Sequence, residues 1–165
     1  MPDLPEFSHV SEDGRARMVD VGHKAPTERT ARAEAIVRVG ALIADQLQRT
    51  GAVAKGGVLE TARLAGIMAA KQTSSLIPLC HQIPLSVVRI EAALEGDTVR
   101  LESFVRCHHT TGVEMEAMTA VSVAALTVYD MCKAAGKGIT IESVRLLEKV
   151  GGKSGTWQAN DEGIS

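Results

Sequence analysis

The sequence predicts an α+β domain whose helices pack on one face of an antiparallel sheet. Two stretches, residues 29–39 and 99–106, alternate between small or apolar residues and polar ones, which is typical of strands. A third stretch, residues 111–133, is apolar or small except for charges near its ends. That pattern predicts one long, largely buried helix.

Size and composition limit the possible functions. At 165 residues the chain has room for a single core. Its 18 Lys and Arg against 20 Asp and Glu, with two Phe, one Trp and one Tyr, give no basic groove and few stacking platforms, so no nucleic-acid partner is expected. Ala and Val supply much of the apolar fraction and bury little area each, so we expect an oligomer that buries more surface between subunits.

The cysteines and the termini are also informative. Three cysteines without C-x-x-C spacing argue against a disulfide framework and a zinc ribbon. No stretch suits a membrane span or a signal peptide, so a cytoplasmic protein without a membrane partner is expected. We divide the chain into a flexible N-terminal segment (1–17), a single folded domain (18–150) and a tail containing Gly and Lys (151–165).

The domain begins with a strand and a helix. Residues 18–21 are predicted to be a short extended piece, and strand 29–39 follows. From Gly40 the apolar spacing becomes helical and ends at Gly51, a residue suited to a helix C-terminus.

A second helix is predicted to open at residues 55–57, to run to Lys71 and to end before Pro78. Lys55 at a helix entrance suits a phosphate, because backbone N–H groups point at an anion there. A flexible Gly-Gly linker beside a solvated lysine explains the same residues, and spacing alone favours that linker.

A hairpin follows the second helix. Residues 79–82 connect to a strand at 83–94, the turn lies at 95–97, and the alternating residues 99–106 form its partner. A metal site is a minor hypothesis here. Cys80 and His81 are two adjacent candidate ligands, and Cys107, His108 and His109 are the others that the sequence offers.

The long helix carries charges that suit its ends. Thr111 is predicted to cap it, and Glu114 and Glu116 lie in its first turn, where the helix dipole favours anions. Lys133 lies in the last turn, where the dipole favours cations, and Gly138 marks the end of the helix.

The chain finishes with a strand and a glycine-rich tail. The strand is predicted at residues 139–146. Residues 151–155, Gly-Gly-Lys-Ser-Gly, fail as a P-loop because Leu147 stands where glycine is required and no helix follows. A tail bearing Lys153 can still fold over an anion, although a solvated tail is the simpler interpretation. The order of elements predicts a ferredoxin-like βαββαβ plan.

Two charges near the end of the long helix resist a purely structural explanation. Asp130 and Lys133 share a face because they are three residues apart. Asp130 is fourteen residues from Glu116, which separates them by roughly 20 Å along the axis. One helix therefore cannot bring both ends to one small substrate. If both are functional, a second subunit is the simplest source of the missing end.

Six blocks of sequence resemble one known family. They lie at residues 18–21, 61–67, 76–81, 111–117, 126–133 and 151–155. In this order they resemble cyclic pyranopterin monophosphate synthases of molybdenum cofactor biosynthesis. The resemblance covers roughly residues 18–157 and implies a ferredoxin-like protomer in a homohexamer, a trimer of dimers with active sites at a dimer interface. It also implies a lyase that converts 3',8-cyclo-7,8-dihydroguanosine 5'-triphosphate to cyclic pyranopterin monophosphate and diphosphate.

The resemblance also implies which residues act. The catalytic positions fall on Asp130, Lys55 and Lys133. The substrate-binding positions fall on Leu79, Cys80, His81, Glu114, Met115, Glu116, Lys71 and Lys153. No metal site and no required cofactor are implied, although Mg²⁺ can accompany the triphosphate.

Two places depart from the family pattern, and two other functions stay open. Gln82 stands where proline commonly follows Cys-His, and residues 107–110 replace a region that often contains Gly or Lys. One alternative is a non-catalytic nucleotide-binding oligomeric module. The other is a metal-dependent phosphohydrolase that uses His81, His108 and His109.

Overall fold

The computed structural model describes residues 10, 13–53 and 56–160. Its strands are β1 (Thr27–Arg38), β2 (Ala52–Val53), β3 (Gly56–Gly57), β4 (Leu85–Glu95), β5 (Thr98–His109), β6 (Thr140–Val150) and β7 (Trp157–Gln158). Its helices are α1 (Ala41–Thr50), α2 (Val58–Lys71), α3 (Thr73–Leu76) and α4 (Glu114–Cys132). Among the described residues, no helix is both long enough and apolar enough to cross a membrane.

Five strands form one antiparallel sheet in the order β4-β5-β1-β6-β7, and β2 pairs with β3 in a separate ladder. The longer elements follow one another along the chain as β1-α2-β4-β5-α4-β6. The predicted α+β architecture with an antiparallel sheet is therefore confirmed. Helix α4 packs against β1, β5 and β6, and α2 packs against α4 and β4.

The core lies between the sheet and α4. The inward residues of β1 are completely buried: Ala31, Ala33, Ala35 and Val37. Since three of these four are alanines, α4 can lie close to the centre of the sheet. The helix presents mainly small residues in return, and these are also completely buried: Ala117, Ala120, Val121, Ala124, Ala125 and Val128.

The two long helices touch through a glycine. A Cβ atom at Gly66 of α2 would lie 2.9 Å from the backbone oxygen of Ala120 in α4 and 3.1 Å from Ile90 in β4. Real Cβ atoms do not approach a backbone oxygen so closely. Gly66 therefore sets the distance between the helices, and any side chain there would push them apart.

On the opposite face of the sheet, charged side chains link neighbouring strands. Glu34 of β1 is 5% exposed and accepts hydrogen bonds from Arg100 Nε on β5 at 2.7 Å and from Arg145 Nε on β6 at 3.0 Å. Burial favours the neutral carboxyl, but the two arginines outweigh that effect and lower the pKa of Glu34. One carboxylate thus joins three neighbouring strands.

Residues 18–21, predicted as a short extended piece, belong to neither a strand nor a helix. Two predicted helix boundaries were wrong. Helix α2 begins at Val58, later than predicted, and Lys55 lies outside the described residues. Helix α4 ends at Cys132, well before Gly138, because a turn follows in which Ala135 N–H donates to the Cys132 carbonyl.

The predicted cap at Thr111 was also wrong. The N-cap residue of α4 is Val113, and no side chain caps the helix. Gly112 lies between them, and the Glu114 carboxylate folds over it into the space that a side chain at Gly112 would need. The first turn thus brings its acidic side chain back towards the chain that enters the helix.

The tail contains a strand that sequence periodicity did not indicate. Strand β7 pairs with β6 through Lys149 opposite Trp157 and Glu148 opposite Gln158. The chain reverses through Gly151, Gly152 and Gly155, whose φ angles of 101°, 79° and 62° are readily adopted by glycine. Strand β7 was not predicted because a strand of two residues is too short to show an alternating pattern.

Candidate active site

Two adjoining hollows lie near the start of α4. The larger, here called the cationic cavity, has a volume of about 710 Å³. It is lined by His23, Lys24, Ala25, Thr27, Glu28, Arg29, Thr110, Thr111, Gly112, Glu114, Lys149, Gly151, Gly152, Lys153 and Ser154. The smaller, here called the acidic pocket, has a volume of about 240 Å³. It is lined by Leu79, Cys80, His81, Ile83, Thr111, Gly112, Glu114, Met115 and Glu116.

Three residues, Thr111, Gly112 and Glu114, line both hollows, so the two lie side by side. A ligand with two chemically different ends could therefore place one end in each hollow. One end would meet several cations, and the other would meet carboxylates and a histidine.

Four cations reach the cationic cavity from separate parts of the chain. Lys24 precedes β1, Arg29 lies on β1, Lys149 lies on β6, and Lys153 follows β6 in the tail. Two acidic residues, Glu28 and Glu114, also line it. The positive charge is therefore in excess, as a polyanion requires.

Arg29 has an unsatisfied donor beside this cavity. Its Nη2 donates to the Thr110 carbonyl at 3.3 Å, while its Nε is buried and has no hydrogen-bond partner among the described residues. Gly151 lets the tail approach it, since a Cβ atom there would lie 2.5 Å from the Glu28 carbonyl and 3.0 Å from Arg29 Cδ. The guanidinium lines the cavity and adds positive charge there, while its buried Nε stays an unused donor among the described residues.

Lys149 ties the tail to the cavity. Its Nζ donates to the Gly151 carbonyl at 3.2 Å and also to the Ser154 hydroxyl. These bonds fold residues 151–154 back along β6. Lys153 is thereby brought to the rim of the cavity.

Glu116 dominates the acidic pocket. It is only 4% exposed although it lies in the first turn of α4. Burial raises the pKa of its carboxyl to about 7, helped by the negative charge of Glu114 and opposed by its own backbone N–H. A carboxyl with this pKa can both accept and release a proton near neutral pH.

The thiols near Glu116 are poor nucleophiles. Burial raises the pKa of Cys80, which lines the pocket, and the charge of Glu116 raises it further. Burial also raises the pKa of Cys107, which is 1% exposed, to about 11. Both thiols are protonated at neutral pH, so neither provides a thiolate.

Glu116→Gln is expected to change the pH dependence of stability. The carboxyl of the unfolded chain titrates near 4.5 and that of the folded chain near 7, so the folded state binds more protons between these values and loses stability as pH rises. A neutral amide removes that loss. The variant should match the parent near pH 5 and exceed it at pH 8 by roughly 2 kcal/mol, or about 5 °C in melting temperature.

Calorimetry from pH 5 to pH 8 measures this difference. Glu114→Gln is the matched control, because it removes a neighbouring carboxylate and leaves Glu116 in place, and it should retain most of the parent's slope. A Glu116→Gln curve parallel to that of the parent would contradict the assignment.

The structure brings most of the predicted binding residues together. Leu79, Cys80, His81, Glu114, Met115 and Glu116 all line the acidic pocket, and Lys153 lines the cationic cavity. Lys71 is exposed at the end of α2 and faces a different groove, beside Ile67 and β4. Lys55 lies outside the described residues.

The predicted catalytic pair lies at the far end of α4. Lys133 Nζ is 2.6 Å from Asp130 Oδ1, and the side chains are 52% and 55% exposed. The hydrogen bond and the charge of Asp130 raise the pKa of Lys133. The pair lines neither hollow, and the helix rise places Asp130 roughly 20 Å from Glu116.

Three cavity cations, Lys24, Arg29 and Lys149, were missed from the sequence. Arg29 stood at the start of a predicted alternating strand, and Lys149 lay beyond the predicted last strand, 139–146. Their convergence depends on the antiparallel register, in which Thr30 pairs with Val150. Lys24 follows the Met-Val-Asp-Val block closely, and that was the one available signal.

The suggested metal ligands do not form a metal site. Within the part of the chain that the structure describes, no group of three His, Cys, Asp or Glu residues is placed to hold an ion. His108 is exposed on β5, whereas His81 lines the acidic pocket.

Comparison with known proteins gives consistent matches. Residues 18–152 match the model of the MoaC family. A Bordetella avium protein named cyclic pyranopterin monophosphate synthase is 55% identical over 157 residues, covering 94% of this chain and 96% of the relative. A Bordetella pertussis protein of the same name is 52% identical over 160 residues, covering 96% and 99%. Drosophila melanogaster molybdenum cofactor biosynthesis protein 1 is 59% identical over 150 residues, which is 90% of this chain and 26% of that protein.

Proposed function

Because this chain belongs to the MoaC family, we propose that it is a lyase that forms cyclic pyranopterin monophosphate in molybdenum cofactor biosynthesis. Its substrate is 3',8-cyclo-7,8-dihydroguanosine 5'-triphosphate, and diphosphate is released. The single observation that carries this proposal within the structure is that the cationic cavity and the acidic pocket lie side by side and share three lining residues. A nucleoside triphosphate has a polyanionic end that suits the cationic cavity and a base with N–H donors that suits the acidic pocket.

The triphosphate lies in the cationic cavity. Lys24, Lys149 and Lys153 neutralise phosphate oxygens, and the Arg29 guanidinium adds a fourth positive charge to the cavity wall. Forming the cyclic phosphate requires a hydroxyl of the sugar to attack the α-phosphorus while the bond to diphosphate breaks. Cations fixed around the leaving diphosphate stabilise the negative charge that develops on it.

The guanine-derived base lies in the acidic pocket. Its N–H groups are donors, and the carboxylates of Glu114 and Glu116 are acceptors. Opening the imidazole ring and closing a pyrazine ring requires several proton transfers. Glu116 suits one of these, because its pKa of about 7 makes both protonation states accessible.

The remaining catalytic groups come from a second subunit. Asp130 and Lys133 form an exposed ion pair that lines neither hollow of their own protomer. A neighbouring protomer in the dimer supplies them, together with Lys55 and Lys71, and the dimers assemble as a homohexamer. This arrangement is supported by the axial separation of the two ends of α4, which one chain cannot close.

Three further assignments belong to this proposal. The protomer is ferredoxin-like, which the βαββαβ order and the position of β1 between β5 and β6 support. No protein-bound metal takes part, although Mg²⁺ can accompany the triphosphate as part of the substrate. The enzyme works in the cytoplasm.

Incubation with the cyclised guanosine triphosphate, followed by oxidation and fluorescence detection, is expected to yield a pterin. Arg29→Lys should raise KM by about tenfold or more, because an ammonium cannot replace the guanidinium fork. Arg49→Lys, at an exposed position of α1, is the matched control and should behave like the parent. Tight substrate binding without any pterin would instead identify a non-catalytic nucleotide-binding module.

A further inference from the structure

One hydrogen bond links the acidic pocket to the chain that enters the cationic cavity. His81 Nε2 lies 2.9 Å from the carbonyl oxygen of Val19. A carbonyl oxygen can only accept, so Nε2 carries the hydrogen. The ring is therefore oriented by this bond, and Nδ1 is the nitrogen left for a ligand or water.

A compact turn continues from Val19 to the cavity. Asp20 Oδ1 accepts a hydrogen bond from Gly22 N–H at 2.8 Å, and Lys24 N–H donates to the Val21 carbonyl at 3.1 Å. Val21 is only 9% exposed, which anchors the turn on the domain. The position of Lys24 thus follows from the position of the backbone at residues 19–21.

Residues 19–24 lie outside the regular secondary structure. They belong to neither the sheet nor a helix, so they lack the ladder of backbone hydrogen bonds that fixes β1. Segments of this kind open locally at low cost, and a single long-range hydrogen bond changes their population strongly. The bond from His81 joins residues 62 positions apart in the chain.

We propose that His81 is a positioning residue for the triphosphate end of the site: its Nε2–H holds the Val19 carbonyl and thereby places Lys24 at the cationic cavity. The role deepens the proposed function and rests on it. It differs from a direct contact with the base, which the position of His81 in the acidic pocket would otherwise suggest. If His81 positions Val19 through Nε2, glutamine should replace it. If His81 contacts the base through Nδ1, asparagine should replace it instead.

Glutamine and asparagine distinguish these roles. The amide nitrogen of glutamine reaches about as far from the backbone as imidazole Nε2, whereas that of asparagine matches Nδ1. His81→Ala is expected to raise KM, and the Kd of inorganic diphosphate, about fivefold, with a smaller change in kcat. His81→Gln should restore both values to within about twofold of the parent, and His81→Asn should not.

Hydrogen exchange supplies a readout that needs no turnover. Exchange at the amides of Gly22 and Lys24 should accelerate in His81→Ala and return towards the parent rate in His81→Gln. Combining His81→Ala with Lys24→Ala should weaken diphosphate binding no further than Lys24→Ala alone. His108→Ala removes an exposed histidine of β5 and is the control.

Two results would overturn the positioning role. One is a His81→Gln variant as defective as His81→Ala. The other is a double variant whose loss equals the product of the two single losses, which would mean that the residues act independently. Failure of the proposed function is distinguishable, because the parent would then form no pterin while diphosphate binding and hydrogen exchange still decided the role of His81.

Discussion

Asp130→Asn is expected to lower turnover by about a hundredfold to ten-thousandfold, the range typical of a lost proton-transfer group. The amide keeps the shape of the side chain but removes its charge and its ability to take a proton. It also removes the ion pair that raises the pKa of Lys133. Both proposed catalytic groups at this end of α4 are therefore impaired by one substitution.

Folding should be nearly unaffected by that change. The Asp130–Lys133 pair is more than half exposed on both sides, and such surface pairs contribute little to stability. Asp45→Asn is a matched control, because it removes another exposed helical ion pair, with Arg49 on α1. It should leave turnover unchanged. Turnover by both variants is followed as pterin fluorescence, with melting temperature measured in parallel; near-normal turnover of Asp130→Asn would remove Asp130 from the catalytic groups.

Mixing two inactive variants is expected to restore activity. Asp130→Asn damages the far end of α4, and Glu116→Gln damages the acidic pocket. If each site combines the two ends from different subunits, a mixed dimer has one intact site and one site with both defects. Random exchange should then recover about a quarter of the parent's turnover.

The control mixes Asp130→Asn with Lys133→Ala. Both groups come from the same subunit, so each site of a mixed dimer keeps one defect and no activity should return. Native mass spectrometry establishes that subunits have exchanged. Mixed assemblies that stay inactive in the first pairing would show that the two ends of α4 do not meet across an interface.

The strand pattern was predictable where burial imposed a period of two. The sequences of β1 and β5 alternate between small or apolar residues, which face α4, and polar residues on the other side of the sheet. Glu34 and Arg100 are two of these charged side chains. Helix α4 was predictable because its middle carries no charge, although Leu126 there is 58% exposed and the helix is buried only on the side that packs on the sheet and α2. The first residue of α4 was not predictable, since the glycine at position 112 allows Glu114 to fold back and leaves Thr111 outside the helix.

The acidic pocket was also more predictable than the cationic cavity. Cys80 and His81, like Glu114 and Glu116, are neighbours in sequence, so a motif can identify them. Lys24, Arg29 and Lys149 come from three segments that meet through strand register and a glycine turn. Nothing local in a strand residue distinguishes a cation that faces a cavity from one that faces water.

The short strand β7 gives the protein an optical property. Trp157, the single tryptophan of the chain, pairs with Lys149, and its side chain is 46% exposed. The same turn of chain carries Lys153 and Ser154 to the cavity rim. Tryptophan fluorescence of this chain therefore comes from Trp157 alone. Its emission wavelength and its quenching report whether β7 is paired with β6. A ligand that moves residues 153–157 is expected to change this emission, which a titration without added dye would detect.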